Sequence, residues 1–154
     1  MLTNFNFNKV ALFDSVVRLL PVWSIDRDSA SAQIIVPFFV PSEHLVAPNK
    51  LPYMRFVVVL GVATNVTYNL NAKGYRPIND LLLGYSKEAH TEWFPVKRTM
   101  AEQIIEVDLK GIEQNLTESD TLVLGIGVEF GTVGADGLGE AVKWSGSAKV
   151  LGGV

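Results

Sequence analysis

Hydrophobic and polar residues alternate with a period of two over most of the chain, which is the pattern of half-buried β-strands. The longest alternation runs from Tyr53 to Leu70, with only Thr64 interrupting its apolar face. That face consists of the even positions Met54, Phe56, Val58, Leu60, Val62, Val66, Tyr68 and Leu70. We predict one long or bulged strand here. Because Val57 and Val59 make the second face of its first half apolar too, that half needs cover from another sheet, a loop or a partner.

Two more alternating segments lie in the second half of the chain. In residues 101–109 one face is apolar and the other is acidic: Ile105, Val107 and Leu109 against Glu102, Glu106 and Asp108. In residues 121–130 the apolar face consists of Leu122, Leu124, Ile126, Val128 and Phe130, with Gly125 and Gly127 on the back. The glycine-rich segment that follows, residues 131–139, predicts a hairpin loop with its turn near Asp136 and Gly137.

The C-terminal segment 141–151 also alternates and predicts one continuous strand. Its apolar positions are Val142, Trp144, Ala148 and Val150, and its polar positions are Lys143, Ser145, Ser147 and Lys149. On this register Trp144 is buried, and Lys143 and Lys149 lie on the solvent-exposed face. Truncation of a buried Trp144 would then cost about 3–5 kcal/mol.

The first forty residues predict an arm followed by a hairpin. Residues 1–20 form either a short helix or an irregular arm, because a helical stripe (Val10, Phe13, Val17 and Leu20) coincides with the i,i+4 pair Asp14 and Arg18. Residues 21–26 and 33–40 flank the turn sequence DRDSAS, which predicts two paired strands. Pro37 would confine the second of them to a sheet edge or a bulge.

These elements predict an all-β fold. About seven strands are spaced by turn signals, and no segment after Pro21 reads as a ten-residue helix. A chain of 154 residues is the size of one ordinary domain. We therefore predict a single domain over residues 1–154, an antiparallel β-sandwich or jelly-roll-like fold.

Composition and charge exclude several functions. Lys and Arg number 13 and Asp and Glu 16, so the net charge of −3 has the wrong sign for a nucleic-acid binder. The chain has no cysteine, which excludes disulfides, cysteine-bound metals and thiol chemistry. We expect no signal peptide, and the longest uncharged segment, residues 56–72, is too short and too polar for a membrane helix. The compartment stays open, with the cytoplasm or an assembled particle as the default.

Candidate catalytic and metal sites have simpler explanations. Asp26 and Asp28 resemble the start of a calcium loop, but the glycine and distant glutamate that complete one are missing. Glu102, Glu106 and Asp108 could offer oxygens to a hard cation, yet a solvated sheet face explains them without any ligand. The two histidines, His44 and His90, fit no catalytic or zinc motif. We predict no enzyme activity, no cofactor and no metal.

One aromatic segment carries the candidate ligand site. Tyr85, His90 and Trp93 lie with Phe94 in the loop-rich sequence GYSKEAHTEWFP. Such residues can form an aromatic platform for a sugar or a peptide. The residues favour the simpler interpretation, an aromatic clamp over the open end of the core.

Several segments resemble a known family. They are FNFN (5–8), IDRDSASAQIIVPFFVP (25–41), APNKLPYMRFVVV (47–59) and LVLGIGVEF (122–130), followed by a hairpin and SAKVLGGV. In this order they are similar to the C-terminal half of a family of uncharacterised proteins from Bacteroidetes, over most of the chain. These motifs are turns and core strands, so the resemblance implies an all-β fold and no particular reaction or cofactor.

Two hypotheses about function follow. Charged residues are only 19% of the chain, and residues 34–63 are interrupted by charge only at Glu43, Lys50 and Arg55. We therefore expect a non-enzymatic structural protein that self-associates into an oligomer, shell or filament, a class that includes phage-like and mobile-element particles. The alternative is a carbohydrate- or peptide-binding module that uses Tyr85, His90 and Trp93.

Overall fold

In the computed structural model, which describes residues 2–154, the chain forms eleven strands and two short helices. The strands are β1 (Val22–Asp26), β2 (Ser31–Val36), β3 (Tyr53–Thr64), β4 (Val66–Asn69), β5 (Gly74–Pro77), β6 (Ser86–His90), β7 (Phe94–Pro95), β8 (Gln103–Asp108), β9 (Asp120–Val133), β10 (Gly139–Ala141) and β11 (Ser147–Gly153). The helices are α1 (Phe13–Val16) and α2 (Pro41–His44), and single 3-10 turns occur at Asp80–Leu82 and Glu113–Asn115. Seven of the described strands have five residues or more.

The strands form a sandwich of two antiparallel sheets and a separate hairpin. The small sheet has the order β1–β2–β8. The large sheet is centred on the β3–β9 pair, with β10 and β11 on the far side of β9 and β6 and β7 on the far side of β3. Strands β4 and β5 pair only with each other. The predicted all-β, antiparallel, sandwich-like fold is confirmed.

The core lies between the two sheets, where the period of two predicts it. The even positions of residues 54–62 in β3 and of residues 122–130 in β9 are all 8% exposed or less. Ile105 and Val107 of β8 and Ile34 and Val36 of β2 face them from the small sheet. The opposite face of the small sheet is polar, and there Gln33 donates a hydrogen bond to Glu106.

Both predicted hairpins are present, but Pro37 does not act as predicted. Strands β1 and β2 pair around the DRDSAS turn, and β9 and β10 pair around a turn at Asp136 and Gly137. Strand β2 is the central strand of its sheet and ends at Val36. Pro37 therefore lies just beyond the strand and removes no ladder hydrogen bond from the sheet.

The long strand predicted over residues 53–70 ends at Thr64. At the next residue the backbone leaves the ladder: the amide of Asn65 still donates to the carbonyl of Ser119 in the β3–β9 register, but the carbonyl of Asn65 accepts from the amide of Ile78. Residues 66–69 then form β4 of the separate hairpin. The apolar positions Val66, Tyr68 and Leu70 are consequently 58%, 50% and 81% exposed, and the prediction that they continue the core face is wrong.

The continuous strand predicted over residues 141–151 is interrupted, and Trp144 is 97% exposed. Ala141 and Ser147 are six positions apart in the chain, whereas their partners Gly131 and Val128 on β9 are three positions apart. The excess of three residues forms an outward loop. Because three is odd, it also reverses which residues of β11 face inward. The predicted burial of Trp144 is therefore wrong.

The reversed register buries Lys149, which the alternation of residues 141–151 predicts on the solvent-exposed face. This side chain is 5% exposed, and its ammonium group forms an ion pair with Asp14 of α1 at 2.5 Å. The ammonium also lies 5.5 Å from the ring centroid of Phe13. A buried ammonium group needs such a partner, because desolvation of an unpaired charge is costly.

The N-terminal segment combines the two predicted alternatives. It contains one helical turn, α1, within an otherwise irregular arm, and Met1 lies outside the described residues. Backbone hydrogen bonds join Asn4, Phe5 and Phe7 to Ala148 and Val150 of β11, so the arm covers the edge of the large sheet. Asp14 pairs with Lys149 across the fold rather than with Arg18 along a helix.

Candidate functional site

The structure separates the predicted ligand residues Tyr85 and His90. His90 lies at the end of β6 opposite Val57, and Tyr85 directly precedes Ser86, which lies opposite Gly61. An extended strand rises about 3.4 Å per residue, so the two residues are about 17 Å apart along β6. They do not form one aromatic platform.

Trp93 is a packing residue at the end of the large sheet. Its indole ring lies against the backbone of Gly131 and Gly139, where a Cβ atom would overlap the ring. The guanidinium carbon of Arg55 lies 4.8 Å from the centroid of the Trp93 ring. The same guanidinium group donates a hydrogen bond to the carboxylate of Glu129 at 2.7 Å. Gly139 is therefore required by the position of Trp93, and Gly131 by both Trp93 and the carbonyl oxygen of Glu140.

We expect Trp93→Ala to lower the free energy of unfolding by about 1–3 kcal/mol, because it removes a half-buried ring from two glycines that cannot fill the gap. Urea denaturation followed by circular dichroism measures the effect. His90→Ala, on an exposed strand end, is the matched control and should change stability by about 0.5 kcal/mol or less. An unchanged urea midpoint for Trp93→Ala would contradict the packing role.

The acidic residues singled out in the sequence have local partners. Asp108 lies 3.6 Å from Lys87 and 3.7 Å from Lys110. Burial alone would raise the pKa of Asp108, but the backbone amide and charge of Lys110 and the charge of Lys87 lower it. Glu102 lies exposed just before β8 and Glu106 accepts the bond from Gln33.

The remaining candidate ligands also make local hydrogen bonds. Asp26 closes the β1–β2 turn by accepting from the amides of Asp28 and Ser29, and the hydroxyl and amide of Ser29 lower its pKa. His44 Nδ1 accepts from the amide of Val40. Within residues 2–154 no three histidine, aspartate or glutamate side chains come close enough together to hold a metal ion.

The face of the large sheet that points away from the core forms the floor of an open groove of about 1200 Å³. We call it the apolar groove. Its walls are residues 7–11 of the N-terminal arm, residues 48–49 and the loop 141–147. Its floor is built from odd positions of β3 and β9, chiefly Val57, Val59, Gly61, Val123, Gly125 and Gly127. Two features of the sequence indicated this groove: the apolar second face of β3 and the glycines on the back of β9.

The charged residues that line the apolar groove are Lys9, Glu129, Lys143 and Lys149. Lys9 and Lys143 are exposed, and neither makes an ion pair with any residue of the described chain. Glu129 is bound to Arg55 at 2.7 Å, and Lys149 is bound to Asp14. The uncompensated charge of the groove is therefore positive.

The β4–β5 hairpin is the second exposed apolar feature. One of its faces carries Val66, Tyr68, Tyr75 and Pro77, because Val66 pairs with Pro77 and Tyr68 with Tyr75. The tyrosine rings contact each other edge to face at 5.3 Å while staying 50% and 73% exposed. Exposed apolar residues continue past the hairpin at Ile78, Leu81 and Leu83.

A buried carboxylate anchors the base of this hairpin. Asp120 is 3% exposed and accepts hydrogen bonds from Asn79 at 2.7 Å and from the amide and hydroxyl of Thr117 at 2.9 Å. Burial alone would raise the pKa of Asp120, but these bonds and the Thr64 hydroxyl lower it to about 2. The Asp120 carboxylate is therefore ionised at neutral pH and holds Asn79, which follows β5.

Comparisons with protein-family models, with curated proteins and with solved structures find no match to this chain. Among the described residues, no helix has the length and apolar character that crossing a membrane requires.

Proposed function

We propose that the protein is a non-enzymatic structural module that associates with further copies of itself through the β4–β5 hairpin. The observation that carries this proposal is the apolar face of the hairpin, which packs on neither sheet of the sandwich. A two-stranded hairpin is only marginally stable by itself in water, and large exposed apolar patches in folded proteins mark interaction surfaces.

The backbone of the hairpin supports a second copy as the partner. Strands β4 and β5 pair only with each other, so each keeps one unpaired edge that can accept a further strand. Two copies can therefore join edge to edge in a two-fold contact, with the same patch on both sides. Tyr68 and Tyr75 of both copies would then form one continuous aromatic surface.

The test is the molar mass of the full chain in solution, measured by light scattering and by sedimentation at several concentrations. We expect a mass above the 16.9 kDa of one chain, and a shift towards that value for the double variant Tyr68→Ser/Tyr75→Ser. The matched control is Leu20→Ser/Val22→Ser, which removes two other exposed apolar side chains and should leave the mass unchanged. A wild-type protein that stays monomeric at high concentration would remove the proposal.

The alternative of a glycan- or peptide-binding module at Tyr85, His90 and Trp93 is not favoured by any observation. Tyr85 is separated from His90 by the length of β6, and Trp93 is engaged with Gly131 and Gly139. We therefore do not assign a shared ligand site to these three residues.

A further inference from the structure

The apolar groove is independent of the hairpin and points to a ligand of its own. We propose that it binds a single-chain anionic amphiphile, a long-chain carboxylate such as palmitate. The alkyl chain would lie on the floor of the groove, and the carboxylate would lie at the rim beside Lys9 and Lys143.

Two of the three floor glycines, Gly61 and Gly125, are not required by the fold, whereas a Cβ atom on Gly127 would lie only 3.3 Å from Ala148 and from the carbonyl oxygen of Ser147. A Cβ atom on Gly61 would come no closer than 3.4 Å to Ser86, and one on Gly125 no closer than 3.4 Å to the carbonyl oxygen of Lys149. Both are ordinary contact distances, unlike the overlaps at Gly131 and Gly139. Glycine weakens a strand interior, and where internal packing does not demand it, it often marks close approach of a ligand.

The chemistry of the floor selects an alkyl chain. Its residues are valine, alanine and glycine, and the backbone groups beneath them are paired in the β3–β9 ladder. An extended peptide or a glycan lying there would turn some of its polar groups towards a floor that offers them no hydrogen-bond partners, which is costly. An alkyl chain has no such groups. From Val57 to Ala63 the floor runs about 20 Å at roughly 3.4 Å per residue, which suits a long chain.

The charge of the rim selects an anionic head group. Asn8 donates to the carbonyl oxygen of Gly146 at 3.2 Å, so the wall that carries Lys9 meets the wall that carries Lys143. Two ammonium groups without ion-pair partners favour a carboxylate there.

The same charges argue against the β4–β5 hairpin of a second copy as the occupant of the groove. The only charged residues of the hairpin are Lys73 and Arg76, which would meet like charge at the rim. The groove and the hairpin are therefore assigned to different partners.

The experiment is displacement of the fluorescent fatty acid cis-parinarate from the full-length protein by palmitate. Hexadecanol, which has the same chain length without the charge, is the comparison ligand. We expect palmitate to displace the probe with at least tenfold higher affinity than hexadecanol. Equal affinities would overturn the assignment of the head group to the lysines, and no displacement by palmitate would overturn the proposal as a whole.

Variants place the chain in the groove. Gly125→Leu fills the floor and should weaken palmitate binding at least tenfold while the unfolding midpoint stays equal or rises. Lys9→Ala/Lys143→Ala should weaken palmitate at least tenfold and leave hexadecanol unchanged. Ser24→Leu, on the polar face of the small sheet, is the matched control and should bind as the wild type does. Wild-type affinity in Gly125→Leu would show that the chain binds elsewhere.

Two further measurements cover a variant that does not fold and binding to a membrane surface. If Gly125→Leu does not fold, Val59→Gln carries the same test, because Val59 is 40% exposed on the floor and its replacement disturbs no core residue. Flotation with phosphatidylglycerol vesicles distinguishes a membrane surface from a free amphiphile. Vesicle binding that Gly125→Leu retains, without displacement of the probe by palmitate, would overturn the proposal in favour of a membrane surface. The two proposals are tested separately, because loss of palmitate binding does not change the molar mass expected for the assembly.

Discussion

Replacing Phe56 with alanine is expected to lower the free energy of unfolding by about 3–5 kcal/mol. Phe56 is 1% exposed in the middle of β3. Its ring centroid lies 5.6 Å from that of Phe39 in an edge-to-face contact and 6.2 Å from that of Phe94 in a stacked one. Truncation removes both contacts and leaves a cavity that the two-sheet core cannot close. The loss is a large part of the roughly 5–15 kcal/mol that stabilises a domain.

Chemical denaturation at neutral pH, followed by circular dichroism, measures this loss. Trp144→Ala is the matched control, because it also truncates an aromatic side chain, but one that is 97% exposed. It should change the free energy of unfolding by no more than about 0.5 kcal/mol. The opposite order of effects would mean that the 141–151 segment is one continuous strand with Trp144 in the core.

Removal of the buried carboxylate at the base of the hairpin is expected to cost about 2–3 kcal/mol at neutral pH. Asp120→Ala leaves the amide of Asn79 and the amide and hydroxyl of Thr117 without their acceptor. Hydrogen bonds to a charged group contribute about 1.5–3 kcal/mol, and buried donors without partners add a desolvation cost. Asp28→Ala, at an exposed turn position, is the control and should be within about 0.5 kcal/mol of the wild type.

The same carboxylate predicts how stability depends on pH. The pKa of Asp120 is about 2 in the folded protein and 3.8 for the free group. Because the folded value is the lower one, the unfolded state binds the proton more readily between these values. The stabilisation by Asp120 is therefore fully present above about pH 4 and is lost as the pH falls through 3.8 towards 2.

Denaturation curves of the wild type and of Asp120→Asn from pH 2 to 6 check this dependence. The difference in stability between the two proteins should be constant from pH 5 to 6 and should shrink below pH 4. Asp28→Asn, at an exposed turn position, gives the reference curve for removal of a surface carboxylate. A constant difference down to pH 2 would contradict the network around Asp120.

The sequence alone determined which faces of the long strands are buried and where two of the turns lie. The buried faces of β3, β8 and β9 follow from a period of two, because side chains on successive residues of a strand point to opposite sides. The turns at Asp26–Ser29 and Asp136–Gly137 follow from residues that suit tight turns. These signals are local, so they hold whichever partner each strand finds.

The sequence did not determine where an alternating segment stops belonging to the sandwich. Residues 66–70 continue the alternation of β3, yet the chain turns into the hairpin at Asn65, whose carbonyl accepts from the amide of Ile78 instead of from β9. Residues 141–151 alternate without a break, yet three extra residues form a loop, expose Trp144 and bury Lys149. In both cases the deciding interactions join residues far apart in the chain.

The candidate sites depended on tertiary structure even more strongly. Neighbours in sequence, Tyr85 and His90, become distant because a strand is extended, and Trp93 is held by glycines that lie about forty residues further along the chain. The apolar second face of β3 was visible in the sequence as a surface that needs cover. Only the packed structure decided that this surface is the floor of an open groove, with walls formed by the N-terminal arm, residues 48–49 and the loop 141–147. Alternation shows that the two faces of a strand differ in polarity, but the residues that cover each face come from distant parts of the chain.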